Sequence, residues 1–363
     1  MMENNDETKY IIDNSKNNNI KNNDSKNNND SENKNLVNDI ENTILENNYS
    51  KISNNIFGKK SNYSEEYQYL NLLENIIENG TWEEGRNGRT KSIFGNMMRF
   101  SLKNGKIPIL TTKKTAWKTC LKELLWFICG QTDNYFLNEQ GVHIWDGNAS
   151  REFLDSRGLF DYPEGILGPI YGFQWRNFNG DYDICKCKPF KNCFCNDLKK
   201  NTNRIDQLQE IITVLKDPLQ RTSRRLIMTA WNPAQLHEMA LPPCHILCQF
   251  NVHDGNKLSC AMYQRSNDEC CGTPFNITSY SFLTHLVAKH CGLDAYEFVY
   301  FKGNCHIYEE HIEGAKLQIT REPYSFPTLS IKQVRKNIND YQLDDFEIHN
   351  YKSHDAIKFA MVA

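Results

Sequence analysis

Apolar residues recur at Tyr67, Leu70, Leu73, Ile76 and Ile77, the spacing of one helix face, between Ser64 and the stop supplied by Asn79 and Gly80. This pattern predicts a helix that opens a folded region. A second predicted helix runs from about Ala116 to Cys129, where Trp117, Leu121, Leu124, Leu125 and Ile128 cover more than one face before Gly130 ends it. It should be mostly buried. Arg225 to Ala230, His245 to Val252 and Lys257 to Tyr263 have strand composition, and Asp254 with Gly255 marks a short turn between the last two. Helical spacing returns at Ile277, Tyr280, Leu283 and Val287, and strand composition from Phe298 to Phe301. Helices and strands are mixed without regular βαβ alternation, so the expected fold class is α+β, a mixed sheet packed with helices.

Composition divides the chain of 363 residues. The first 62 contain 20 Asn and few aromatic residues, too little apolar surface to offset chain entropy, and are expected to be a disordered tail. Residues 63–363 are expected to form one folded domain. A net charge of −3 offers no basic surface for nucleic acid, so none is expected as a partner. No apolar run reaches the ~18 residues that span a bilayer, and the Asn-rich start lacks the basic and apolar regions of a signal peptide. The expected location is the cytoplasm, with no membrane partner. Thirteen Cys in such a chain point to reduced thiols used for chemistry, metal or packing.

One cysteine stands out by its setting. In Leu241-Pro242-Pro243-Cys244-His245 two prolines fix the backbone before Cys244 and a predicted strand begins after it, which holds the sulfur as a nucleophile requires. Its thiolate would react, and cationic neighbours would lower its pKa. Ser223-Arg224-Arg225 and Tyr263-Gln264-Arg265-Ser266 supply guanidinium forks and a hydroxyl suited to a phosphate dianion. The Asn276 amide offers an acceptor and paired donors that match the N3 and O4 edge of a uracil ring. His306 and Tyr308 alternate along a strand and so face one side, where they can hold a sugar hydroxyl. Glu123 lies in the apolar run Leu121 to Ile128, where desolvation should raise its pKa and suit it to moving protons.

Several runs together carry a family resemblance: Lys122-Glu123-Leu124-Leu125-Trp126-Phe127, Ile144-Trp145-Asp146, Gly168-Pro169-Ile170-Tyr171-Gly172-Phe173-Gln174-Trp175-Arg176, Ser223-Arg224-Arg225, Pro242-Pro243-Cys244-His245, Tyr263-Gln264-Arg265-Ser266, Pro274-Phe275-Asn276 and His306-Ile307-Tyr308. From about Glu65 to Ala363 the chain resembles the thymidylate synthase family in the order and near-spacing of these runs. The resemblance implies a methyltransferase that converts dUMP to dTMP through a covalent Cys244 adduct at uracil C6. Its one-carbon and hydride donor would be 5,10-methylenetetrahydrofolate, released as dihydrofolate. Catalytic residues implied are Cys244, Glu123, Tyr171, His245 and Asn276. Implied dUMP ligands are Arg86, Arg265, Ser266, Asp268, Asn276, His306 and Tyr308, with Arg224 and Arg225 reaching the partner's site in a sheet-mediated homodimer. Trp145, Asn148, Asp268, Gly272, Phe275 and Ala363 are implied on the folate side, the last as the terminus that closes over it.

The chain departs from the family pattern in places. The N-terminal phosphate loop, Arg86-Asn87-Gly88-Arg89-Thr90, is one residue short if Arg86 is its arginine, with Arg89 as the alternative. Lys114 keeps a basic position, Asn304 stands where an aspartate is usual, and His354-Asp355-Ala356 lacks a usual proline. An insertion near 179–203 carries Cys185, Cys187, Cys193 and Cys195. Four thiolates can ligate zinc, but one-residue gaps are shorter than those of common zinc motifs, so no metal is assigned. The residues before the domain are too few and too polar for a reductase, so a monofunctional enzyme is expected. Two alternatives remain: a dUMP hydroxymethylase on the same fold, and an inactive RNA-binding relative.

Overall fold

Glu66 explains how the first helix is seated. It is fully buried, and its carboxylate accepts from the backbone N–H groups and hydroxyls of Thr111 and Thr112 at 2.6–3.0 Å. Every lone pair of a buried charge is thus engaged, the condition under which burial is tolerable. The helix that follows, α1 (Tyr67–Asn79), buries Tyr69, Leu70, Leu72, Leu73 and Ile76 and ends where the Gly80 N–H bonds Ile76 O. The computed structural model describes residues 64–85, 87–182 and 203–360, all within one unit, Tyr63–Ala363. The expected tail, the four insertion cysteines, Arg86 and Ala363 lie outside the described residues.

After α1 the described elements are β1 (Thr81–Gly85), β2 (Gly88–Ser101), α2 (Trp117–Ile128), α3 (Tyr171–Asn177), α4 (Gln207–Lys216), β3 (Ile227–Thr229), β4 (His245–His253), β5 (Lys257–Asp268), α5 (Gly272–Cys291), β6 (Asp294–Tyr308), α6 (Ile312–Ile319), β7 (Thr328–Ile331) and β8 (Phe346–His349). Short helical turns at Tyr135–Asn138, Asp146–Ala149 and Arg151–Ser156 fill the segment after α2. Six strands form one sheet in the order β1-β2-β6-β5-β4-β3, and β7 with β8 form a second pair. All neighbours in the large sheet are antiparallel except β5 and β6. The sheet is mixed, with helices packed on it, and the chain is α+β.

The parallel pair needs a crossover, and α5 provides it. Sixteen of its 20 residues are buried, which explains an apolar pattern spread round the helix. It begins five residues before the predicted Ile277, because Pro274 falls in the first turn, where a missing N–H costs nothing. Both partner strands also outrun their predicted spans. β5 continues through Gln264, Arg265, Ser266 and Asn267 to Asp268 because β6 runs beside it as far as Tyr308, with Asp268 opposite His306. Polar side chains facing a cleft mask strand alternation there. The β4–β5 turn contains Asp254 and Gly255 at φ 48° and 82°, the positive values for which such residues are favoured. By contrast, the strand predicted from Arg225 shrinks to Ile227–Thr229, leaving Arg224 and Arg225 exposed in the approach to it.

The two faces of the sheet differ. One packs on α5 and carries Phe298, Tyr300 and Lys302, all buried. Across the other runs the register row Met97, Phe301, Tyr263 and Leu247, of which Met97, Phe301 and Tyr263 are 42%, 42% and 37% exposed. Ile227, Ala261 and Val299 share that face in the adjacent row.

Candidate active site

Cys244 sits where the Pro242-Pro243 turn enters β4. Its own N–H donates to the Tyr171 hydroxyl at 2.7 Å, and its carbonyl accepts from the Arg265 N–H at 2.9 Å. The prolines contribute carbonyls as well as stiffness: Arg265 Nε donates to Pro243 O at 2.8 Å and Nη2 to Pro242 O at 3.0 Å. This anchoring leaves Arg265 Nη2 4.0 Å from Cys244 Sγ. Burial pushes the thiol up from its ordinary pKa, against the downward pull of Arg265 and of the bond to Tyr171. The cationic neighbour does lower the thiol, as expected, but desolvation outweighs a guanidinium whose N–H groups are shared with two carbonyls.

Tyr171, at the start of α3, stacks on His245 with centroids 3.9 Å apart and planes 15° apart. The imidazole Nδ1 meets the Tyr280 hydroxyl at 2.8 Å, and burial alone lowers His245 to about 3. It is a neutral plate that fixes Tyr171, which in turn fixes Cys244. Glu123 reaches the same cleft from α2. Its carboxylate accepts from Trp145 Nε1 at 2.7 Å, and burial raises it to about 7 against that stabilising bond. A carboxyl with this value exchanges protons readily at neutral pH.

These groups line one cleft of about 600 Å³, together with Arg265, Ser266, Asp268, Gly272, Phe275, Asn276, His306, Tyr308, Asn148 and Lys114. Asp268 accepts from the N–H groups of Cys270 and Cys271 at 2.9 and 3.0 Å, which fixes its carboxylate just ahead of α5. His306 Nδ1 meets Asn304 Oδ1 at 2.9 Å. Donation from Nδ1 leaves Nε2 as an acceptor. Burial holds the imidazole below its ordinary pKa, against the pull of Asp268. Next to Asp268, the Glu269 N–H bonds His306 O at 2.9 Å, and the Glu269 carboxylate pairs with Lys302 with both side chains fully buried.

Arg224 and Arg225 do not line the cleft; both are exposed near the edge strand β3. Nor does Arg89. Its guanidinium is taken up by Glu309 at 2.9 Å and Glu84 at 3.4 Å and lies 4.5 Å over Trp82. The neighbouring Asn87 does line the cleft. Sequence reasoning missed Lys113, Cys270, Cys271, Ile357 and Phe359 as lining residues. The alternation of Ile357 and Phe359, two apolar residues facing one way, was the available signal. Lys113 is buried, with Nζ donating to Cys270 O and lying 4.4 Å over the Phe359 ring. Asp268, Cys271 and His311 bring donor atoms within 4.8 Å of one another. The Ala360 carbonyl already takes His311 Nε2 and Cys271 Sγ.

A family model described as thymidylate synthase matches residues 67–363. Among curated relatives, a probable thymidylate synthase of Schizosaccharomyces pombe is 48% identical over 309 residues, covering 82% of this chain and 47% of that protein. A bifunctional dihydrofolate reductase-thymidylate synthase of Plasmodium berghei is 47% identical over 337 residues, 92% of this chain and 54% of that protein. One of Leishmania major is 46% identical over 299 residues, 82% and 55% respectively. The chain spans about half the length of the curated relatives it matches.

Proposed function

The chain belongs to the thymidylate synthase family, and from that premise we propose that it converts dUMP to dTMP with 5,10-methylenetetrahydrofolate, releasing dihydrofolate. The observation that carries this reading is the convergence on one cleft of Cys244, Arg265, Asn276, His306 and Glu123. An anion ligand, a pyrimidine-edge amide, a sugar-side imidazole and a proton carrier surround one thiol.

The chemistry follows from the positions. A dUMP phosphate would be held beside Arg265 and Ser266, with the Arg265 cation close enough to Sγ to favour the thiolate against burial. The thiolate adds to C6, and the electron pair of the C5–C6 bond moves to C5 and O4, turning a vinyl carbon into an enolate carbon. The folate supplies the one-carbon unit and the hydride. Asn276 reads N3 and O4, His306 with Tyr308 holds the sugar hydroxyl, and Glu123 moves protons at the ring through its cleft position. Trp145, Asn148, Asp268, Gly272 and Phe275 face the folate. The assay is absorbance at the dihydrofolate wavelength: a rise that requires both dUMP and methylenetetrahydrofolate supports the reading. Release of tetrahydrofolate would replace it with a hydroxymethylase.

The same premise supports a homodimer through the open sheet face. A contiguous row of exposed Met97, Phe301 and Tyr263 on a sheet is the kind of surface that a second copy covers. Arg224 and Arg225, exposed near the edge of that sheet, would then reach the partner's phosphate. Light scattering should give twice the chain mass, and Phe301→Lys should give the monomer with activity lost. A monomeric, active wild type would end this part of the reading.

A further inference from the structure

Gly314 is the third residue of α6 and has no left-handed backbone to explain it. A glycine inside a helix is unfavourable relative to alanine, so its missing Cβ needs another cause. That cause is the C-terminal segment. A Cβ on Gly314 would lie 2.5 Å from Phe359 Cε1, 3.1 Å from its Cζ and 3.2 Å from Ile357 Cγ2.

The ring has neighbours on its edge and on one face, and it is half-buried where it borders the cleft. His311 meets it edge-on at 5.1 Å and the Lys113 ammonium lies 4.4 Å over its face. Immediately beyond it, Ala360 O accepts from His311 Nε2 at 2.9 Å and Cys271 Sγ at 3.7 Å. Ile357 and Phe359 both face the cleft on the side of Asp268 and Cys271.

We propose that Gly314 and Phe359 are a socket and knob that position the C-terminal segment as a wall of the cleft, and that this pair sets the affinity for the folate without touching the nucleotide. Gly314 is a positioning residue that acts through the segment, and Phe359 also borders the cleft itself. The proposal rests on the dUMP and folate reading of the cleft, so its test includes a readout independent of turnover.

The experiment uses the full chain with Gly314→Ala, Phe359→Leu and the double variant. Leucine lacks the ring atoms that meet the added Cβ. Trypsin cleavage after Lys358 reports seating of the segment, and separate KM values report the two substrates. Gly314→Ala should speed cleavage and raise the KM for methylenetetrahydrofolate about tenfold, ~1.4 kcal/mol, with the KM for dUMP changed less than about twofold. Its thermal midpoint should not fall, because alanine favours the helix. The double variant should recover slower cleavage and a folate KM close to that of Phe359→Leu alone. Wild-type cleavage and KM in Gly314→Ala would overturn the proposal, and so would a double variant no better than Gly314→Ala. If the wild type does not turn over dUMP, the functional reading fails while the cleavage rates still decide the socket.

Discussion

The two sides of the cleft are built differently. On the side proposed for the nucleotide Arg265 and Ser266 lie on β5, Asn276 on α5 and His306 with Tyr308 on β6, with Cys244 bonded to its neighbours through its own backbone. On the other side, Ile357 and Phe359 belong to a segment without regular structure, held by His311, Gly314, Lys113, Cys271 and Thr111. A sheet and a long buried helix hold groups to fractions of an ångström, as covalent chemistry demands. A segment held by side chains can be released by local unfolding, as entry and closure around a large ligand demand.

If this contrast is right, damage on the nucleotide side should remove chemistry outright. Cys244→Ser should lower kcat by ~1000-fold or more while calorimetry finds dUMP binding nearly unchanged, because a serine hydroxyl is a far weaker nucleophile at neutral pH. Retained turnover would mean the thiol is not the nucleophile.

Glu123 reaches the cleft from α2 and gives a pH signature. Its folded value of about 7 exceeds the ordinary 4.5, so the folded state binds the proton more tightly than the unfolded one. The burial cost is therefore absent below about pH 4.5 and fully present above about 7. Glu123→Gln should be more stable than wild type at pH 8 by about 3 kcal/mol in urea unfolding, the gain vanishing by about pH 4.5, while kcat falls ~100-fold. An unchanged pH dependence of stability would remove the case for a raised carboxyl.

The smallest effect is expected at Asn304. An aspartate there would face His306 Nδ1 with a charge and raise the imidazole pKa, yet Nδ1 would still donate and Nε2 would still accept at low protonation. Turnover of Asn304→Asp should stay within about tenfold of wild type, ~1.4 kcal/mol, with any loss greatest at low pH. A larger change in the steady-state rates would show that His306 needs an uncharged partner.

How much could be read from the chain alone follows the same division. α1 and α2 stood out because each has a solvent side or a clear stop, and the β4–β5 turn because Asp254-Gly255 favours positive φ. The ends of β5 and β6 did not, since Gln264 to Asp268 and Asn304 to Tyr308 place polar groups in a cleft rather than alternating between core and water. α4 went unread although it buries Leu208, Ile211, Ile212 and Leu215 at helical spacing and Asp206 caps it. Its pattern follows directly on the cysteine-bearing insertion, whose polar composition obscured the boundary.

The sequence by itself singled out the candidate groups and the local grammar around them: Pro-Pro before Cys244, the alternation of His306 and Tyr308, and Glu123 in an apolar run. Only the tertiary structure decided how those groups are tuned. Whether Cys244 is lowered by Arg265 or raised by burial depends on where the guanidinium's other bonds go, and they go to two carbonyls more than twenty residues back. Nothing in the chain near Arg89 announces its pairing with Glu309, 220 residues away. Gly314 explains itself only with Phe359 beside it. In each case the deciding energy is a desolvation or contact between distant segments, which no local pattern encodes.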